Sequence, residues 1–100
     1  MNKLIKDNIH NIQQICQSHR VRKLWAFGSV CSDKFSDISD IDLLVSFESM
    51  DFGDYADNFF NLCTLFEDLF NRKVDLVTDK SLSNPYFIDS VDRSKIILYE

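Results

Sequence analysis

The stretch FGSVCSDKFSDISDIDLLV, residues 27–45, decides how the chain reads. In its second half Ile41, Leu43, Val45 and then Phe47 alternate with Asp40, Asp42, Leu44 and Ser46, the period-two pattern of a β-strand. Side chains two apart on a strand share a face. Asp40 and Asp42 therefore project together, while Ile41, Leu43 and Val45 anchor the opposite face in a core. The first half closes another strand, VRKLWAF (21–27), which Gly28 ends. Between them lies a short connection through Ser39, with room for a brief helix starting at Ser29.

Working outward, Leu4, Ile5, Ile9, Ile12, Ile15 and Cys16 recur at steps of three and four, predicting an amphipathic helix to about His19. Downstream, residues 48–53 read as a loop. Asp54 reads as the N-cap of a helix, with Asp57 favouring its positive end. Tyr55, Phe59, Leu62, Cys63, Phe66, Leu69 and Phe70 form the apolar stripe of that helix. It is expected to stop at Asn71, with Arg72 and Lys73 suiting its negative end. KVDLVT (73–78) reads as a third strand, Pro85 as the first turn of a helix over 85–91, and KIILY within 95–99 as a last strand. Strands separated by helices imply an α/β fold, with a mixed or largely parallel four-stranded sheet packed against helices. There is no repeat, low-complexity tract or linker, so residues 1–100 read as a single domain.

Composition limits the function classes. Hydrophobic residues at 45% and charged residues at 27% fit a soluble globular domain with one modest core. The opening MNKLIKDNIHNIQQICQ interrupts its apolar positions every turn, unlike a signal peptide, and no apolar run approaches the roughly twenty residues of a membrane span. A cytoplasmic protein is expected. Net charge is −5, and thirteen of the sixteen acidic residues are aspartate. That opposes long nucleic acid as a partner, because a phosphate backbone rewards basic patches. Three cysteines at unrelated spacings argue against a disulfide framework or a zinc site. Cys16 and Cys63 fall on apolar helix faces and read as core, and Cys31 beside the glycine turn reads as incidental.

The candidate chemistry gathers around the opening stretch. Two carboxylates facing one way repel unless a cation sits between them. Magnesium prefers oxygen ligands, usually one or two carboxylates plus substrate phosphates. A solvent-facing strand edge carrying two charges is the plain alternative. Glycine at a strand end lets a phosphate approach the backbone, and Ser29 with the free amides beside it makes an anion site. A helix cap is the other reading of Ser29, and both roles can hold at once. Asp75 faces away from Val74, Leu76 and Thr78. An aspartate in the middle of a short apolar strand has either a basic partner (Arg72, Lys73 or Lys95) or a role as a third metal ligand that draws a proton from an attacking hydroxyl. His10 and His19 read as surface or helix-end residues. Trp25 reads as core rather than a base-stacking platform. Tyr86 and Phe87 fit either core or a contact surface.

Taken together, GS, ten intervening residues, DxD and a later strand aspartate resemble the signature of the DNA polymerase beta-like nucleotidyltransferases. The layout is most similar to the minimal nucleotidyltransferases of prokaryotes, over nearly the whole chain. The resemblance implies that Gly28 and Ser29 hold the triphosphate of a nucleotide. It implies that Asp40 and Asp42 bind two magnesium ions, and that Asp75 completes the metal site and helps activate the acceptor hydroxyl. Many minimal members are antitoxins paired with a small helical HEPN toxin, and some transfer AMP from ATP to a tyrosine on it. The sequence departs from the common pattern after GS, where an Arg-Gly step often stands and Ser32 and Asp33 stand here. Lys34 is the nearest compensating charge.

The expected function is thus magnesium-dependent transfer of a nucleoside monophosphate, AMP from ATP, to a hydroxyl of a HEPN-like toxin. The acidic balance and the small size of the chain favour a partner that presents the acceptor. The rival is an antitoxin that neutralises its partner by stoichiometric contact with weak or lost catalysis. A transferase acting on a small molecule such as an aminoglycoside stands third, since such members generally carry further domains.

Overall fold

The computed structural model describes residues 2–100. Four strands, β1 (Val21–Phe27), β2 (Ile41–Phe47), β3 (Val74–Thr78) and β4 (Ile96–Tyr99), form one sheet in the order β3-β2-β1-β4. β1 pairs antiparallel with β2 and with β4, whereas β2 and β3 run parallel. The sheet is mixed, as expected, but mostly antiparallel, so the largely parallel alternative falls. The cause lies in the connections. Between β1 and β2 the chain makes only a 3-10 turn, Gly28–Cys31, and an irregular strap, too little for a crossover. Between β2 and β3 it inserts a long helix, α3 (Phe52–Phe70), which carries the chain back to start a parallel strand.

One sheet face carries the main core. Leu24, Ala26, Ile41, Leu43, Val45, Val74, Leu76 and Leu98 pack there against α1 (Lys3–Asp7), α2 (Ile9–Ser18) and α3, through Ile5, Ile12, Cys16, Leu62, Phe66 and Phe70. The other face is covered only in part, by α4 (Pro85–Ser94), whose Val91 meets Phe27 and Leu44 beside Trp25, Val77 and Leu82. Each residue of β2 that alternates away from the main core lies on this second face. That places Asp42 there.

Local chemistry explains three shifts from the expected boundaries. The first helix is divided at Asn8, whose side-chain amide donates to the Leu4 carbonyl at 2.8 Å, a local bond that competes with the regular ladder. α3 starts one turn earlier than expected, because Asp51 rather than Asp54 is the N-cap and accepts the Asp54 N–H at 3.0 Å. Gly53 disguised this turn as loop. α4 runs on to Ser94, capped at its start by Asn84, which accepts the N–H groups of Tyr86 and Phe87. Asn71 ends α3 as expected, in the left-handed conformation (φ 52°) that asparagine tolerates. No described helix is long and apolar enough to cross a membrane.

Candidate active site

Strand register assembles the site. Asp42 pairs with Phe27 across the antiparallel β1–β2 ladder and with Asp75 across the parallel β2–β3 ladder. Paired residues share a face, so Phe27, Asp42 and Asp75 lie in one row, with Gly28 directly after its first member. Asp40 stands just outside β2, exposed, two residues before Asp42. Burial first, and then the charges of Asp75 and Asp40, push the Asp42 carboxyl up to about 6. The charges of Asp75 and Asp40 thus reach Asp42.

Asp75 is exposed, which corrects the expectation of a buried carboxylate in need of a partner. β3 is an edge strand, and its second face is open where Asp75 stands. Among the described residues none of the three aspartates forms an ion pair. Two of the three basic candidates are engaged elsewhere: Lys95 pairs with Asp92 at 2.9 Å and lies over the Trp25 ring, and Arg72 donates to backbone carbonyls of the strap.

Gly28 has a positive φ of 73°, and a Cβ there would collide with Asp42 Oδ2 and stand 3.3 Å from its Cγ. The collision is with the Asp42 side chain, and the positive φ by itself favours glycine here. The Gly28 N–H donates to Ser94 Oγ at 3.1 Å, so α4 holds the turn from outside. Ser29 lies within the 3-10 turn and makes no capping bond, which removes the helix-cap reading. Its carbonyl instead accepts the Ser32 N–H and hydroxyl, each at 3.0 Å. A cleft of about 280 Å³ beside this turn is lined by Asn2, Val30, Cys31, Ser32, Asp33 and Ile96. Burial, then the Asp42 charge, pushes the Cys31 thiol up, away from thiolate character.

Among the described residues no group of three or more histidine, cysteine or acidic side chains is placed to hold a metal ion by itself. The donor set nevertheless fits magnesium, which binds through one or two carboxylates and completes its shell from water and phosphate oxygens. Asp40, Asp42 and Asp75 offer hard oxygen donors, with the Asp42 carboxyl raised first by burial and then by the charges of Asp75 and Asp40.

The other singled-out residues fall outside this group. His10 is exposed, and His19 ends α2 with Nδ1 at 2.8 Å from the Ile15 carbonyl. Trp25 joins the smaller core cluster, Phe87 meets Phe27 edge-on at 5.9 Å, and Tyr86 faces solvent. Three contributors carried no sequence signal: Ser94 on Gly28, Arg72 on the strap, and Glu67, whose carboxylate accepts the Val74 N–H at 3.1 Å where β3 begins.

Residues 10–100 match the family described as polymerase beta, nucleotidyltransferase. The chain belongs to this nucleotidyltransferase family. A relative from Methanocaldococcus jannaschii, named "Putative protein adenylyltransferase MJ0128", is 34% identical over 93 residues, covering 92% of each chain. A solved structure described as a "putative minimal nucleotidyltransferase" superposes with a TM-score of 0.69 at 28% identity, over 96% of this chain and 95% of that one. The same fold, at 20% identity and a TM-score of 0.65, occurs in a chain of the solved complex described as a tri-AMPylated Shewanella oneidensis HEPN toxin with an MNT antitoxin. That match covers 93% of this chain and 70% of the other. The nucleotidyltransferase fold and family expected from the GS and DxD motifs are therefore borne out.

Proposed function

We propose that this nucleotidyltransferase moves AMP from ATP to a hydroxyl of a partner protein, and that the partner is a HEPN toxin. The observation that carries the reading is the row Phe27, Asp42, Asp75 with Gly28 pressed against Asp42. It sets the glycine turn directly beside the carboxylates of the acidic strands.

Gly28 and Ser29 receive the triphosphate, and Asp40 and Asp42 hold magnesium, with Asp75 completing the set. Two bound magnesium ions would supply charge neutralisation for the α-phosphate and the departing pyrophosphate. Asp75, exposed and next to Asp42, takes the proton of the acceptor hydroxyl on a carboxylate oxygen. The acceptor oxygen bonds to the α-phosphorus as the bond to the β-phosphate oxygen breaks, and pyrophosphate leaves. The relative named as a protein adenylyltransferase and the AMPylated toxin complex of similar fold support the choice of AMP and of a protein acceptor.

The competing reading, neutralisation by stoichiometric contact, draws on Ser32 and Asp33, which bring a negative charge to the rim of the phosphate turn. Incubation with labelled ATP, magnesium and the partner separates the two. Label on the partner that vanishes for Asp40→Asn and Asp42→Asn is expected. Neutralisation that persists in both variants, without label, would replace transfer with contact.

A further inference from the structure

We propose that Arg72 is the positioning residue that sets Asp40 in line with Asp75. Asp40 belongs to no strand; it is the last residue of the strap before β2. Its neighbours on either side are both tied to the segment between α3 and β3. The Ser39 carbonyl accepts from Arg72 Nη1 at 3.0 Å, and the Ile41 N–H donates to the Lys73 carbonyl at 3.1 Å. The same Nη1 reaches the Ser36 carbonyl at 3.0 Å, and the guanidinium lies 4.6 Å from the centroid of the Phe35 ring. Ser36 and Ser39 are joined in turn by N–H to Oγ, Oγ to Oγ and N–H to carbonyl contacts of 3.0–3.1 Å.

The consequence follows from chain connectivity. Arg72 lies three residues before Asp75, so one side chain fixes the loop that presents Asp40 to the strand that presents Asp75. A guanidinium suits this task because the two N–H groups of one Nη1 serve two carbonyls while its planar face stacks on an aromatic ring. A lysine can donate to the carbonyls but has no planar face to stack. The link to catalysis rests on the nucleotidyltransferase reading, whereas the structural half does not.

Two measurements on the full-length chain and its Arg72→Ala and Arg72→Lys variants decide the matter. Amide hydrogen exchange reads the strap, and the magnesium dependence of AMP transfer reads Asp40. For Arg72→Ala, faster exchange at Ser36 and Ser39 is expected, with strands 41–47 and 74–78 unchanged. The magnesium concentration for half-maximal transfer should rise about tenfold, the scale of losses when an outer support of a metal ligand is removed. Arg72→Lys should fall between. Unchanged strap exchange, a loosening spread equally through the sheet, or a loosened strap with an unchanged magnesium requirement would each overturn the assignment. A wild-type chain that transfers nothing counts against the proposed activity, and the exchange comparison then decides the role of Arg72 by itself.

Discussion

The Asp42 carboxylate fills the space that a side chain on Gly28 would need. This contact brings the two halves of the motif together, the glycine turn lying against the Asp42 side chain of the acidic strand. Gly28→Ala meets two penalties, the left-handed backbone, about 1–2 kcal/mol, and displacement of Asp42. Urea unfolding should show at least the first. In an Asp42→Ala background the steric part disappears, so a double-mutant cycle should return a coupling energy beyond the backbone cost. AMP transfer by Gly28→Ala should fall at least tenfold.

The raised carboxyl of Asp42 predicts a pH signature. In the fold this carboxyl is pushed up to about 6, above the ordinary aspartate value of 3.8, so the folded state binds this proton more tightly than the unfolded chain. The resulting stability is fully present below about pH 4 and is lost as pH rises through about 6. Asp42→Asn should therefore be more stable than wild type at pH 7–8 in metal-free buffer, and the gap should close towards pH 4. The half-buried site is screened by solvent, so a gain of up to about 1 kcal/mol is expected. The same variant should lose transfer activity.

Asp75 and Phe66 give a contrast between site and core. Asp75 is exposed and unpaired among the described residues, so Asp75→Asn should leave the thermal midpoint nearly unchanged while transfer collapses. Phe66 is fully buried on α3, and Phe66→Ala should cost about 3–5 kcal/mol in chemical denaturation.

These contrasts also show what was legible in the sequence. The alternation around Asp42 and the apolar stripe of α3 reveal strand and helix because each pattern is local. Register follows less directly: Asp42 opposite Asp75 requires knowing that β2 and β3 are parallel and adjacent. The exposure of Asp75 depends on β3 being an edge, which no local pattern records. Ser94 and Arg72 act across 66 and 33–36 residues of chain, so their targets became visible only in the folded molecule. At Asp51 and Asp54 two cap residues three positions apart compete, and Gly53 between them hid the earlier start.

Ser94 supports the turn from α4. Ser94→Ala removes the acceptor of the Gly28 N–H and should cost about 1 kcal/mol, the usual net worth of such a bond. Freed of that acceptor, the amide turns to solvent or phosphate. A changed KM for ATP with nearly constant kcat is the expected kinetic result.

Ser32 and Asp33 lie at the rim of the turn, where minimal nucleotidyltransferases often carry Arg-Gly. Replacing both, Ser32→Arg with Asp33→Gly, removes one negative charge and adds one positive charge next to the phosphates. ATP affinity should rise several-fold at low ionic strength and by less at high salt, because exposed charges are screened. Calorimetric titration at two salt concentrations checks this.

The central claim is catalysis by the Asp40, Asp42 and Asp75 cluster, and turnover tests it most directly. The partner toxin is incubated with a twentieth of its molar amount of this chain, ATP and magnesium, and its intact mass is followed. Most of the partner should gain the mass of one or more AMP groups, and Asp42→Asn should abolish the gain. Partner that keeps its original mass while its toxicity is neutralised only at equimolar chain would contradict the claim.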